Sequence, residues 1–305
     1  MRRGPSKLVT SLAIAGVAVL SAGGCEARVY GTTPESALTV VVPQGRMAPL
    51  PEAPPDEPAA TFNGLGDRTR QAIANAAKTG ARISVAVLDR NTDQQVSGGD
   101  GAAFPIASVV KLFIADDLLL QESKGETELS PADRSALDVM LRSSDDSAAE
   151  NFWNRSGGSD IVNRVVARYG LANTKQPYNG KWDLTTSTAG DLVRYYDKLL
   201  AGTGGLPQEQ ANVILANLAQ STPRGIDGYP QRFGIPDGLY AEPVAVKQGW
   251  FCCWSGANQL HVSTGVIGPE RRYVMAIGSL DPTGDAAARD HVTQLVKTMF
   301  PGGRI

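Results

Sequence analysis

The sequence predicts an α+β domain: one antiparallel sheet of about five strands flanked by helices, plus an all-helical lobe. Three observations predict it. Strand-like segments occur only near the two ends of the folded part, ARISVAVLD and TDQQVSGG early, then PVAVKQGW, NQLHVSTGVI and RRYVMAIGSL late. The middle is a run of helical patterns, several of which close near glycine. No internal repeat breaks the order, and strands first and last with helices between are the pattern of a sheet covered by helices.

The N-terminus is set apart from that domain. MRRGPSK is basic, and the apolar LVTSLAIAGVAVLSA after it is short for a stable span, as in a cleaved export signal. The segment ends in SAGGC. Small residues followed at once by Cys25 resemble a bacterial lipobox, although Ala22 stands where a larger aliphatic residue is usual. That resemblance implies cleavage after residue 24, acylation of Cys25, and a protein anchored in the lipid membrane on its outer face, since more than one acyl chain holds stably. The alternative is an ordinary secretory signal with an incidental cysteine. Residues 25–60 are proline-dense without a sustained apolar period and read as an extended tether. The folded domain is then 61–305.

Its elements follow in order. LGDRTRQAIANAAKTG is a helix stopped by Gly80. ARISVAVLD alternates apolar and polar residues and is rich in β-branched types, as a strand is, and TDQQVSGG is the next strand after a turn. From Ser108 to about Glu122 the pattern is helical and apolar nearly all round, the mark of a buried helix. SPADRSALDVMLRS opens with Ser130 as N-cap and Pro131 at the first helical position. DSAAENFWNRSG, SDIVNRVVARYG, TAGDLVRYYDKLLAG and PQEQANVILANLAQ are further helices. DAAARDHVTQLVKTMF closes the chain after the last strands.

Composition excludes some functions. With 29 basic and 31 acidic residues the net charge is −2, which gives no reason to expect nucleic acid as a partner. No cysteine or histidine spacing suits a metal, and no cofactor is implied. The only histidines are His261, inside a strand pattern, and His291, on the last helix; without a G-x-S-x-G they do not suggest a Ser-His-Asp hydrolase. The adjacent Cys252 and Cys253 are open to a vicinal disulfide, a cross-link or free thiols. Adjacent residues are awkward to bridge, so buried thiols are the expectation.

Three short stretches carry chemistry. Ser108 and Lys111, three apart at a helix start, share a face where exposed N–H groups favour developing negative charge. A serine hydroxyl needs a base to take its proton, and a lysine in a dry pocket can be that base because burial disfavours its ammonium. Ser144, Asp145 and Asp146 sit at another helix start, and Lys247, Gln248 and Gly249 lie on a late strand. The earlier Lys78-Thr79-Gly80 ends a helix and is no part of the set.

In this order, S-x-x-K, S-D-[N] and K-T-G on a strand resemble the signature of class A β-lactamases and penicillin-binding proteins, over residues 61–305. The resemblance implies a β-lactamase/transpeptidase-like fold and assigns roles. Ser108 is the acylated nucleophile and Lys111 its proton acceptor. Ser144, helped by Lys247, passes a proton to the leaving nitrogen, and the N–H groups of Ser108 and Trp250 form the oxyanion hole. Asp146, Gln248, Gly249 and Trp250 border the substrate, a β-lactam or peptidoglycan-like peptide. Asp145 is a structural hydrogen-bonder.

Three departures bear on activity. Asp146 replaces an asparagine that contacts both the lysine and the substrate; a carboxylate cannot donate, and it favours a protonated Lys111. Gln248 replaces a threonine that binds the substrate carboxylate, though its NH₂ could donate one bond. In GLANTKQPYNGKWDLTTSTAGDL the loop before the TT step is short and holds no glutamate to activate a deacylating water. Asp183 is the acid in that loop, expected to cap the next helix or tie the loop down. Arg224 and Arg232 are candidates for a carboxylate-binding guanidinium or are surface residues. Trp250 and Trp254 either wall a cleft or pack the core. The expectation is a weak serine acyl-enzyme with poor deacylation; the alternative is an impaired site on the same fold that binds cell-wall material or a protein partner.

Overall fold

The computed structural model describes residues 62–305, all within one compact unit, Pro55–Ile305. The expected signal, Cys25 and the tether lie outside the described residues. In chain order the elements are α1 (Leu65–Ala77), β1 (Arg82–Asp89), β2 (Gln94–Gly99), β3 (Phe104–Pro105), a 3₁₀ turn (Ala107–Val110), α2 (Lys111–Ser123), α3 (Pro131–Arg142), α4 (Asp146–Arg155) and α5 (Asp160–Tyr169). There follow a 3₁₀ turn (Trp182–Leu184), β4 (Thr186–Ser187), α6 (Ala189–Ala201), α7 (Gln208–Ala219), a short α8 (Ile235–Gly238), β5 (Val244–Trp254), β6 (Asn258–Ile267), β7 (Tyr273–Asp281), α9 (Asp285–Met299) and a terminal 3₁₀ turn (Pro301–Gly303).

The predicted α+β class holds. The five long strands form one antiparallel sheet in the order β2-β1-β7-β6-β5. Period two along a strand sorts its side chains onto two faces. On one face Ile83, Val85 and Val87 of β1 meet Met275 and Ile277 of β7 beneath α1 and α9. On the other, Ala86, Leu260, Val262, Val274 and Ala276 join a second core with α6, α7 and the helical lobe.

At the centre of that lobe, α2 is buried from Lys111 to Leu120, as its all-round apolar pattern predicts. Its two interior acids are matched to cations. Asp116 takes Arg168, Tyr169 and Tyr195, and Asp117 takes Arg164 through two bonds of 2.8 and 2.7 Å. Around them Leu112, Phe113, Ile114, Leu118 and Leu119 are buried, each stabilising by about 1.5–3 kcal/mol. The helix ends match the sequence cues. Ser130 and Asp133 form a reciprocal capping box under Pro131, and Gly170 and Gly202 close α5 and α6 in the left-handed conformation.

Two small features were not expected and both position the site. β3 and β4 pair as a second, two-stranded sheet, Phe104 opposite Ser187 and Pro105 opposite Thr186. The first turn of the predicted Ser108 helix is 3₁₀ and becomes α only at Lys111.

Candidate active site

The segment carrying Ser108 is clamped from two sides. The Ile106 N–H donates to the Thr185 carbonyl at 2.9 Å, which holds it against the loop 182–185. On the other side runs β5. A Cβ on Gly249 would come within 2.5 Å of the Ile106 carbonyl oxygen and 3.2 Å of the Ser108 nitrogen, so only glycine allows the strand this close. Ala107, just before the serine, has φ +46°, and Ser144 has φ +59°. Both are left-handed conformations that a non-glycine residue holds only when its surroundings impose them, and such strain collects at functional sites.

The three predicted stretches converge. Lys111 Nζ, fully buried, lies 2.9 Å from Ser108 Oγ, donates to the Ser144 carbonyl at 2.7 Å, and lies 3.1 Å from Ser144 Oγ. Lys247 Nζ, also buried, donates to Ser144 Oγ at 2.9 Å and to the Gln248 carbonyl at 3.3 Å. Ser144 thus stands between two amines, and Ser108 faces one of them. Burial pulls the Lys111 pKa below its ordinary value, with Asp146 pushing back. Burial, then the neighbouring Lys111, pulls Lys247 well below its own. A neutral amine at Lys111 would accept the Ser108 proton along the same 2.9 Å line.

Asp146 contacts Lys111 at 2.5 Å, although its side chain is 71% exposed. It does favour the ammonium, as its charge predicts, but desolvation outweighs it and the net direction is downward. Asp145 is the N-cap of α4, accepting from the Ala148 N–H at 2.9 Å, which is the structural role expected of it.

Other expectations are corrected. Gln248 does not offer its NH₂ to a substrate. The side chain is fully buried and donates to the Gln231 and Phe233 carbonyls at 3.1 and 2.6 Å, while its Oε1 has no partner. Asp183 does not cap α6; Thr188 does, accepting from the Asp191 N–H at 3.2 Å. The Asp183 carboxyl is half-buried, and burial, with Asp146 and Glu150 nearby, raises its pKa. Cys252 and Cys253 are not buried thiols: both are exposed and joined as a vicinal disulfide where β5 bulges into its hairpin with β6. Arg224 donates to the Gly228 carbonyl within its own loop, and Arg232 pairs with Asp237 at 3.0 Å. Trp254 packs edge-on against Phe251 beside the lobe core.

Sequence reading missed two contributors. Trp182 lies with its ring centroid 4.8 Å from Lys111 Nζ and walls the site, its indole N–H donating to Glu150. The one available cue was its place before the TT step that the β3–β4 pairing fixes. The second is the segment 222–231. Its Tyr229 stacks on Trp250 at 4.6 Å, and the Tyr229 hydroxyl meets His261, Asp285 and Arg289. Burial lowers the His261 pKa to about 4, so the imidazole is neutral at pH 7. Nothing local in the sequence marks that network.

Among the described residues no group of three or more His, Cys, Asp or Glu side chains is arranged to hold a metal ion. No helix among them is long and apolar enough to cross a membrane.

No protein-family model matches the chain. At 57% identity over 317 residues, covering all of both chains, it is similar to proteins of Mycobacterium bovis and Mycobacterium tuberculosis named "Putative lipoprotein LppW". Among solved structures it is similar to a class A β-lactamase from Bacteroides cellulosilyticus, with a TM-score of 0.63 and 18% identity over 77% of this chain and 97% of that one. It is similar also to the TLA-1 extended-spectrum β-lactamase, with a TM-score of 0.65 and 14% identity over 78% and 98%. A third likeness is PBP-A, with a TM-score of 0.62 and 19% identity over 76% and 94%. At these identities the likeness concerns the fold, and it matches the β-lactamase/transpeptidase-like fold expected from the motifs.

Proposed function

We propose a function from one premise: the chain belongs to the LppW family of lipoproteins. Within the fold of the class A β-lactamases, it is a serine acyl-enzyme that acylates slowly on a β-lactam or a D-Ala-terminated, peptidoglycan-like peptide and releases the acyl group poorly. The observation that carries the reading is the row Ser108–Lys111–Ser144–Lys247, with neighbours 2.9 to 3.1 Å apart in a buried pocket.

Acylation proceeds along that row. Lys111, as the free amine, takes the Ser108 proton while Oγ attacks the acyl carbon. Ser144 gives its proton to the leaving nitrogen and is reprotonated by the Lys111 ammonium, with Lys247 holding the Ser144 oxygen in place. The Ser108 and Trp250 N–H groups are assigned to the oxyanion. Release is slow because the short 172–185 loop holds no glutamate to activate a deacylating water.

Cys25, acylated, anchors the protein in the lipid membrane at its outer face, and residues 25–60 hold the domain off it. Fractionation of cells tests this: Cys25→Ala moves the protein out of the membrane fraction.

The test of the chemistry is incubation with a reporter penicillin at millimolar concentration over hours, followed by intact mass. One covalent adduct, absent in Ser108→Ala, is expected. A second reading is favoured by the 2.5 Å Lys111–Asp146 contact, which favours the ammonium: a binding protein on the same fold for cell-wall material or a protein partner. No adduct, with a thermal shift on adding a peptidoglycan-like peptide, is the outcome that selects it.

A further inference from the structure

The segment 222–231 is a strap between two parts of the site. One side of it holds the turn that carries Ser144. The Thr222 N–H donates to the Arg142 carbonyl at 3.0 Å, the Ile226 N–H to the Ser143 carbonyl at 2.7 Å, and the Gln231 side-chain amide to the Arg142 carbonyl at 3.0 Å. Ser144 has φ +59°, a conformation its surroundings must impose, and these bonds fall on the two residues before it. The strap is also tied to itself: the Gly225 N–H donates to the Tyr229 carbonyl at 2.8 Å, and Arg224 bridges to Pro230.

The other side is fastened to β5 at two points. Gln248 and Trp250, two apart, share the sheet face opposite Lys247. Gln248 donates to the Gln231 carbonyl at 3.1 Å and to the Phe233 carbonyl at 2.6 Å. The Trp250 indole stacks on Tyr229, centroids 4.6 Å apart and planes 7° apart. The Arg289 guanidinium lies 5.0 Å from the same ring. The Tyr229 hydroxyl is fully used. Its one proton goes to Asp285, and its oxygen accepts from Arg289 at 3.0 Å and from the neutral His261, through Nε2, at 2.7 Å.

Resting on the Ser108 acyl-enzyme reading, we propose that Tyr229 is a positioning residue for that reaction: its stack on Trp250 seats the strap on β5 and sets the Trp250 N–H against the oxyanion, while the strap's other side holds Ser144. Acylation needs both groups at once, a donor for the oxyanion and a proton for the leaving atom, and a donor works only where the charge develops. Gln248 makes the same fastening from the far end of the strap, which gives the buried glutamine a role in place of the substrate contact its motif suggests.

The test compares N-benzoyl-D-alanine phenyl ester with its thionoester, in which sulfur replaces the carbonyl oxygen. Sulfur is a weak acceptor, so donors aimed at an oxyanion favour the oxo ester. In each, the Ser108 Oγ–acyl carbon bond forms and the bond to the phenol oxygen breaks. The serine proton passes to Lys111, and the departing oxygen takes the Ser144 proton, replaced from Lys111. Intact mass and peptide mapping follow acylation of Ser108, with each rate divided by that reagent's hydroxide hydrolysis rate. The wild type is expected to favour the oxo ester by about a hundredfold or more, the worth of one oxyanion donor. Tyr229→Leu, which lacks the aromatic face, is expected to narrow that ratio by about tenfold, chiefly by slowing the oxo ester. Tyr229→Phe, which keeps the ring, is expected to retain most of it. Circular dichroism checks folding, and Tyr229→Met, also without an aromatic face, stands in where Tyr229→Leu does not fold. A packing loss alone slows both esters equally. An unchanged ratio in Tyr229→Leu therefore overturns the proposal even if both rates fall, as does a Tyr229→Phe ratio as low as that of Tyr229→Leu. A wild-type ratio near one overturns it too, since no donor is then in place to be positioned. Each of these leaves the Ser108 reading standing. No adduct from the oxo ester in the wild type overturns both.

Discussion

Replacing Asp146 by asparagine should speed acylation, and the structure sets how much. Asp146 Oδ1 lies 2.5 Å from Lys111 Nζ and stabilises the ammonium, the form that cannot take the Ser108 proton. With the charge centres roughly 4 Å apart, the attraction lies between about 1 kcal/mol in water and about 4 kcal/mol in a protein-like dielectric. Lys111 is buried but Asp146 is 71% exposed, so about 2 kcal/mol is the reasonable share. Asparagine removes the charge and supplies an NH₂ donor, so the Lys111 pKa falls further. Below that pKa the free-amine fraction rises with every unit of fall. A weaker base reacts more slowly, so about a three- to tenfold gain near pH 7 should remain. The assay is the pseudo-first-order acylation rate of Ser108 by a reporter ester, by intact mass, from pH 5 to 10. The acid limb should move to lower pH. A limb that stays in place, or a variant slower at every pH, would show that Lys111 is not the base.

Three further outcomes follow from the same geometry. Lys247→Ala removes the amine 2.9 Å from Ser144 Oγ and should slow acylation by about a hundredfold, and it should also lower the urea midpoint, because truncating a fully buried side chain leaves a cavity; unchanged acylation in that variant would refute the role. Gly249→Ala drives a Cβ to 2.5 Å from the Ile106 carbonyl oxygen and should cost about a hundredfold in acylation by moving β5 from Ser108, with folding retained by circular dichroism; an adduct at the wild-type rate counts against that fit. His261 should make stability fall in acid. Its pKa drops from about 6.5 unfolded to about 4 folded, so the unfolded chain binds the extra proton between those values and unfolding becomes easier as pH falls through that window, by about 3 kcal/mol in all. Urea melts at pH 4 and 7 on wild type and His261→Gln check it, the variant losing most of that difference.

The fold was largely legible because its signals are local. Alternation in ARISVAVLD and in the late strands names the sheet, and the all-round apolar run after Lys111 names the buried helix that the structure centres in its lobe. Ser108 and Lys111 were legible because three-residue spacing at a helix start puts both on one face, and Ser144 and Lys247 because the ordered motifs resemble the class A β-lactamase signature. What stayed hidden depends on tertiary closure. Gln248 reads as a cleft residue by its place in the triplet, but Phe233 and Gln231, some fifteen residues upstream, capture its amide. Trp182 reaches Lys111 only because β4 pairs with β3, across more than eighty residues. Cys252 and Cys253 were assigned to the interior by type, yet the bulge at the end of β5 turns them outward.

The pocket also explains why a carboxylate can stand where an amide would favour reaction. Two lysines within reach of one hydroxyl repel, and burial opposes charge on each. Both amines are buried, and Lys111 adds to the fall of Lys247. If both were ammonium the pair would lack a counter-charge inside the pocket, and Asp146 supplies one from the rim. On the proposed acyl-enzyme reading, Asp146 opposes activation of Ser108 while making Lys111 less costly to bury. The same trade fixes a sign for stability. Asp146→Asn should accelerate acylation and lower the urea midpoint together, since one charge contributes to both. A variant that gains rate and stability at once would show that the ion pair does not help hold the fold, and that its cost to acylation is unrelieved.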